Sequence, residues 1–174
     1  MSTRTGRTAV IALGSNLGDR DDILQGAVDA LAGVDGVRLL SVSAVYETVP
    51  VGGPPQPDYL NAVVVAHLTI SARELLDRLH EIEAAFDRVR VVRWGPRTLD
   101  LDIITVSGER SDDPELTLPH PRAQERAFVL DPWLDADPDA ELPGYGRVAD
   151  LARGACQAGV RRSAFSLAIP EAGR

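Results

Sequence analysis

Lysine is absent. All 18 basic residues of this 174-residue chain are arginine. A Walker A phosphate loop needs its lysine, so it is excluded, as is a Schiff-base lysine. Any phosphate chemistry must rest on arginine, backbone N–H groups and metal ions. Cysteine is almost as scarce: Cys156 stands alone, which excludes an internal disulfide and a multi-cysteine zinc site. Its plain reading is a small, partly buried residue. Aromatics make up 5%, few for an RNA reader that stacks bases on exposed rings. The net charge of −8 argues against a general nucleic-acid binder. No apolar run approaches the roughly 20 residues of a membrane helix. The first 16 residues have too short an apolar core, and no small-residue cleavage site, for a signal peptide. A cytoplasmic location, without membrane or nucleic-acid partners, is expected.

What is present is ordinary globular composition, 44% hydrophobic and 25% charged, in a length that suits one domain with a real core. The expected domain spans 1–174, with its core in 8–155. Residues 8–13 read as a buried strand that ends at Gly14-Ser15-Asn16. Residues 19–33 read as an amphipathic helix with Asp19, Asp21 and Asp22 at its positive end. Residues 37–48 predict a second strand, followed by a Pro/Gly-rich interruption at 49–57. Residues 58–69 predict a third strand, with Tyr59, Asn61, Val63, Val65 and His67 on one face and Leu60, Ala62, Val64, Ala66 and Leu68 on the other. Ser71 with Glu74 forms a capping box for a helix to about Phe86. An Arg-rich loop at 87–97 precedes a fourth strand at 99–106, and short helices are expected near 128–136 and 147–155. The tail, 163–174, is expected to be extended or frayed. The order β-α-β-β-α-β predicts an α+β, ferredoxin-like core with an antiparallel or mixed sheet flanked by helices.

Within this frame, Asp100 and Asp102 share one side of a strand. Two close carboxylates repel unless compensated, and a hard divalent cation compensates them while using substrate phosphates as further ligands. A bare pair of this kind is more often an exposed strand face. Its neighbours change the balance. Arg88, Arg90, Arg93 and Arg97 fall in an acid-free stretch, and guanidinium forks match phosphate oxygens. Pairing with the acidic helix residues Asp77, Glu81 and Glu83 is the plainer role for Arg88 and Arg90. Trp94 lies between Arg93 and Arg97 and can cover a flat ring, though core burial is the commoner fate. Asn61 sits mid-strand beside Tyr59; its carboxamide must find partners, either backbone or a heterocycle's amide edge. His120, Arg122, Arg126 and Phe128 follow the carboxylate strand and add positive charge and another flat group.

The stretches ALGSNLGDR (12–20), YETVP with QPDYLNAVV (46–64), RWGPRTLDLDI (93–103) and LTLPHPRAQERAFVLDPW (116–133) closely resemble the 6-hydroxymethyl-7,8-dihydropterin pyrophosphokinases of folate biosynthesis. The resemblance implies transfer of pyrophosphate from ATP to the pterin's hydroxymethyl group, with release of AMP and with two Mg²⁺ ions. It implies that Asp100 and Asp102 ligate both metals and that Arg88 and Arg97 serve catalysis at the phosphates. It places Glu83, Arg90, Leu99, Ile103, Leu116, Thr117, His120 and Arg126 at the ATP. Thr48, Val49, Val51, Tyr59 and Asn61 would hold the pterin, with Trp94 and Phe128 stacked on its two faces. Gly14-Ser15-Asn16 would shape the pocket. Glu115, His80 and Val49 depart from the family pattern, which has Arg in some members, Gln and Pro there. The small-molecule substrates are the expected partners, and a monomer the expected state. A nucleotidyltransferase releasing pyrophosphate is the rival enzyme, although its carboxylate pair should follow the Gly-Ser closely. A non-catalytic ferredoxin-like binding module is the rival of another class.

Overall fold

The computed structural model describes residues 6–16, 19–49, 55–86, 98–155 and 159–171. Arg88, Arg90, Arg93, Trp94 and Arg97, with Val51 and Cys156, lie outside the described residues. Along the chain come β1 (Arg7–Ser15), α1 (Arg20–Ala32), β2 (Val37–Val42), β3 (Tyr46–Thr48), β4 (Tyr59–Leu68), α2 (Ala72–Phe86) and β5 (Asp100–Val106). A hairpin of β6 (Ser111–Asp113) and β7 (Leu116–Leu118) follows, then a 3-10 turn (Ala123–Glu125) and α3 (Ala127–Ala136). The chain closes with a second hairpin, β8 (Glu141–Leu142) and β9 (Gly146–Arg147), then α4 (Val148–Gly154) and β10 (Val160–Arg162).

The main sheet runs β10–β3–β4–β1–β5, with β2 paired to the other half of β4, and the pairings are antiparallel. Taking β2 and β3 together as the second strand, this is the ferredoxin-like α+β arrangement. The alternation of β4 explains the layers. Leu60, Ala62, Val64, Ala66 and Leu68 pack with Leu24, Leu31, Leu75 and Leu79 of α1 and α2. Val63 and Val65 face the other way, onto Val129, Leu130 and Trp133 of α3. Both sheet faces are therefore covered around β4, unlike the open aromatic face of an RNA reader. Among the described residues no helix is long and apolar enough to cross a membrane.

Local sequence sets the helix starts. The Asp19 carboxylate accepts the Asp22 N–H at 3.4 Å, and Ser71 Oγ accepts the Glu74 N–H at 3.0 Å; each satisfies a donor that the first helical turn leaves unpaired.

One expectation needs correction. Residues 37–48 are two strands, because Ser43 interrupts them. Its Oγ accepts the Val63 N–H at 2.8 Å while its own N–H donates to Val63 O at 2.9 Å, so the side chain replaces a main-chain acceptor and the chain leaves the ladder until Tyr46. Over its described residues the tail after Ser163 has no regular structure, and it is anchored: Leu167 is buried and Phe165 packs against the core. The hairpin β6–β7 and strand β10 were not anticipated.

Candidate functional site

The site is built where β1 runs between β4 and β5. Gly14 lies opposite Asn61 on one side and opposite Asp100 on the other; Ala12 lies between Val63 and Asp102 in the same way. Ala12 and Gly14 share a face, two residues apart, and their small side chains leave a floor with walls on both sides. A Cβ on Gly14 would stand 3.3 Å from Asn61 Oδ1, so this close approach favours glycine. On β5, the register with β1 passes from Ile11↔Ile103 to Val10↔Thr105, which makes Ile104 a bulge residue. Ile103 and Val106 then both face the α1–α2 core, while Asp100, Asp102 and Ile104 face the site.

Two cavities open on this floor. The first, about 370 Å³, is lined by Glu83, Ile103, Leu116, Thr117 and His120, together with His80 and Glu115. The second, about 510 Å³, is lined by Thr48, Val49, Tyr59, Asn61 and Phe128, with Ala12, Gly14 and Arg126. Among the described residues, Asp100 and Asp102 alone line both. Within the second cavity Asn61 Nδ2 donates to Thr48 Oγ1 at 2.8 Å, which fixes two buried polar groups that an apolar wall could not leave unpaired.

Most residues assigned from the sequence to the nucleotide or the pterin thus fall into two separate groups. Two do not follow the assignment. Leu99 is fully buried in the core and lines neither cavity. Arg126, read as an ATP-side residue, lines the second cavity, with its guanidinium carbon 5.5 Å from the Phe128 ring centroid, a cation–π contact. Arg88, Arg90, Arg97, Trp94 and Val51 lie outside the described residues. Sequence reasoning missed Leu76 in the first cavity and Ala12 and Glu125 in the second. Small residues two apart, Ala12 and Gly14, were the available signal for the floor.

His120 is fixed by its main chain, whose N–H donates to Ile104 O at 2.8 Å, closing part of the outer edge of β5. Its Nδ1 accepts the Arg122 N–H at 3.3 Å, which leaves the proton of the neutral ring on Nε2. Burial, then the charges of Arg126 and Arg122, hold the imidazole below its ordinary value, against an opposing pull from Asp100. Burial and Arg122 likewise lower Arg126, opposed by Asp102, Glu125 and Asp100; an arginine remains charged regardless. The region therefore concentrates cationic groups around two carboxylates.

The carboxylates suit a hard divalent cation. They offer two oxygen-donor side chains on one strand face, and among the described residues no group of three or more His, Cys, Asp or Glu is arranged to hold a metal. An ion here would complete its shell with substrate oxygens and water, as Mg²⁺ commonly does.

Comparison with known proteins shows the family. Residues 10–138 match the family model for 7,8-dihydro-6-hydroxymethylpterin-pyrophosphokinase (HPPK). A Mycobacterium leprae 2-amino-4-hydroxy-6-hydroxymethyldihydropteridine pyrophosphokinase is 47% identical over 155 residues, covering 83% of this chain and 79% of the relative. The Synechocystis protein of the same name is 44% identical over 139 residues, covering 80% and 71%. Among solved structures, a Plasmodium falciparum HPPK-DHPS crystallised with SDX-DHP superposes with a TM-score of 0.69 at 13% identity, covering 92% of this chain. This chain spans about half of that one, 49%, and at such identity the likeness concerns the fold alone. With a family model that matches most of its length and relatives above 40% identity, the chain belongs to the 7,8-dihydro-6-hydroxymethylpterin-pyrophosphokinase family.

Proposed function

We infer that this chain transfers pyrophosphate from ATP to the hydroxymethyl group of 6-hydroxymethyl-7,8-dihydropterin, releasing AMP, as a step in folate biosynthesis. One observation carries the site assignment: among the described residues, Asp100 and Asp102 alone are shared by the two cavities. ATP occupies the first cavity and the pterin the second, so the β-phosphorus and the hydroxymethyl oxygen meet over the carboxylates.

Asp100 and Asp102 would hold two Mg²⁺ ions, which when bound neutralise phosphate charge. The chain's own residues supply position and field. Thr48 and Asn61 orient the pterin's polar edge, and Phe128 covers one ring face. His120 presents a donor to the phosphates from the first cavity, and Arg126 adds positive charge beside the carboxylates from the second. Arg88, Arg97 and Trp94 keep the phosphate and stacking roles implied by the family motif. The hydroxymethyl oxygen bonds to the β-phosphorus and gives up its proton to solvent, the bond from that phosphorus to the α,β-bridging oxygen breaks, and AMP leaves with the electron pair. No covalent enzyme intermediate is required; alignment and charge stabilisation suffice for phosphoryl-type transfer.

The test is product analysis with ATP, Mg²⁺ and the dihydropterin. Pterin-dependent AMP is expected, reduced by about a thousandfold or more in Asp100→Ala and Asp102→Ala. ADP, or free pyrophosphate formed in place of the pterin diphosphate, overturns the reaction. Full activity in both variants overturns the metal assignment.

A further inference from the structure

The family match ends at residue 138, yet the main sheet does not. Strand β10 adds itself to β3 in the register Val160↔Thr48, Arg161↔Glu47 and Arg162↔Tyr46. Beside it, Gly159 O accepts the Val49 N–H at 3.1 Å. β3 is only three residues long and is paired to β4 through Tyr46↔Asn61, Glu47↔Leu60 and Thr48↔Tyr59. Without β10 it would be a short edge strand, the least constrained place in a sheet. Thr48 and Val49, which wall the second cavity, stand on that strand and at its end.

A charged clip lies behind the same strand. Arg161 Nη2 is 3.2 Å from Glu47 Oε1 and 3.6 Å from Asp58 Oδ2. Arg20 of α1 donates from Nη1 to Asp58 O at 2.7 Å and stands 3.8 Å from Glu47 Oε1. Glu47 immediately precedes Thr48, and Asp58 immediately precedes Tyr59. The two guanidinium groups therefore tie together the two points where the chain leaves and re-enters the sheet around the pterin side of the site. Alternation along β3 puts Glu47 on the opposite face from Thr48, and Arg161 does not line either cavity. The rest of the tail is anchored independently. Leu167 is buried in the α1–α2 core, and Ala168 exchanges two hydrogen bonds with the Gln25 side chain, at 2.8 and 3.0 Å.

We propose that Arg161 is a positioning residue for the pterin: from β10 it holds Glu47 and Asp58 together and so sets the spacing of Thr48 and Tyr59 across the second cavity. The inference rests on the pterin assignment made above. It separates the two substrates, because the clip touches β3 and the start of β4 but no element of the first cavity. It is also exposed, so salt should weaken it.

The test compares the 174-residue chain with its Arg161→Ala and Arg161→Lys variants. In Arg161→Ala the KM for the dihydropterin is expected to rise about fivefold, the scale of an exposed ion-pair network, while the KM for ATP and the melting temperature stay near wild type. Arg161→Lys should recover much of the loss. Raising salt should move the wild-type pterin KM toward that of Arg161→Ala and leave the variant nearly unchanged. Titration of oxidised 6-hydroxymethylpterin, followed by its fluorescence with an ATP analogue and Mg²⁺, reads the same shift without turnover. A pterin KM and pterin affinity unchanged in Arg161→Ala, or equal losses toward both substrates, overturn the proposal. Absence of AMP formation by the wild-type chain instead counts against the assigned reaction, and the fluorescence titration still decides the role of Arg161.

Discussion

Asn61 and Asp100 are in register with the same residue, Gly14, one on each side of β1. Two strand spacings separate them, about 10 Å between main chains. That span accommodates a flat bicyclic ring whose polar edge meets Asn61 and whose side group reaches toward the carboxylate. The relation depends on Gly14 having no side chain. A Cβ there would lie 3.3 Å from Asn61 Oδ1, close enough to push the amide aside by a few tenths of an ångström. Gly14→Ala is expected to raise the pterin KM about five- to tenfold through misplacement of a binding group, with a smaller effect on the ATP KM. Steady-state kinetics with each substrate varied in turn checks this. Equal affinity for the pterin in the variant would mean that Asn61 has room to adjust, and that the floor is less tightly built than the register indicates.

β5 carries both aspartates and, among the described residues, pairs with β1 along one side only. Its outer edge is held in part by Glu83, a buried residue of α2 whose Oε2 accepts the Leu101 N–H at 3.2 Å. Leu101 lies between the two aspartates, so this contact steadies the segment that presents them. Glu83→Leu leaves a buried N–H without its acceptor and is expected to cost about 1–3 kcal/mol. Glu83→Gln keeps an acceptor oxygen and should lose less. Denaturant midpoints order the three proteins. If Leu and Gln variants are equally stable, the contact does not hold the strand. Because Glu83 also lines the first cavity, the ATP KM should rise in the Leu variant beyond any change in the pterin KM.

Strand β4 and the start of α2 were legible in the sequence for a local reason. Alternation sorts Leu60 from Asn61 with no information from elsewhere, and Ser71 needs only Glu74 three residues on to be a cap. The paired aspartates were legible in the same way, because residues two apart in a strand share a face. The break at Ser43 was hidden, since it depends on a hydroxyl reaching Val63 twenty residues away. Arg126 and Leu99 show the same limit at the site: their spacing says that they flank the carboxylate strand, but only the packing of the helices decides that Arg126 borders the second cavity and that Leu99 joins the α1–α2 core. β10 was hidden more deeply. Val160-Arg161-Arg162 has no periodicity to read, and its strand character comes from the exposed edge of β3.

His120 gives the site a pH dependence that can be assigned. Burial, with Arg126 and Arg122 nearby, lowers its folded pKa below the ordinary 6.5. As pH falls through 6.5, the unfolded chain takes up a proton that the folded chain accepts only at lower pH. The unfolded state then binds more protons, and the protein loses stability across that window; above it the contribution is fully retained. His120→Gln removes this term. The stability of wild type relative to the variant should therefore fall as pH is lowered from above 6.5, even though carboxylates affect both proteins alike. Chemical denaturation at a series of pH values measures the difference. A constant difference across the series would show that His120 titrates alike in the folded and unfolded chains.

Tyr46 links the two walls of the second cavity from behind. It lies on β3 opposite Asn61, and its hydroxyl donates to Asp135 Oδ2 near the end of α3 at 2.8 Å. Burial, followed by the hydrogen bond and charge of Asp135, pushes its pKa up to about 12, so it remains a donor at any ordinary pH. α3 also carries Phe128, which lines the cavity that Thr48 walls from β3. Tyr46→Phe removes the hydroxyl and leaves the ring packed. The expected cost is about 1 kcal/mol, the net value of such a hydrogen bond, and a fall in melting temperature of roughly 2–4 °C for a chain of this size. The pterin KM should rise modestly, with the ATP KM unchanged, because the linked elements belong to the second cavity. Calorimetry and kinetics on the one variant read both effects. Lost stability with an unchanged pterin KM would place the link in the scaffold alone, and unchanged stability would show that water replaces the phenol at no cost.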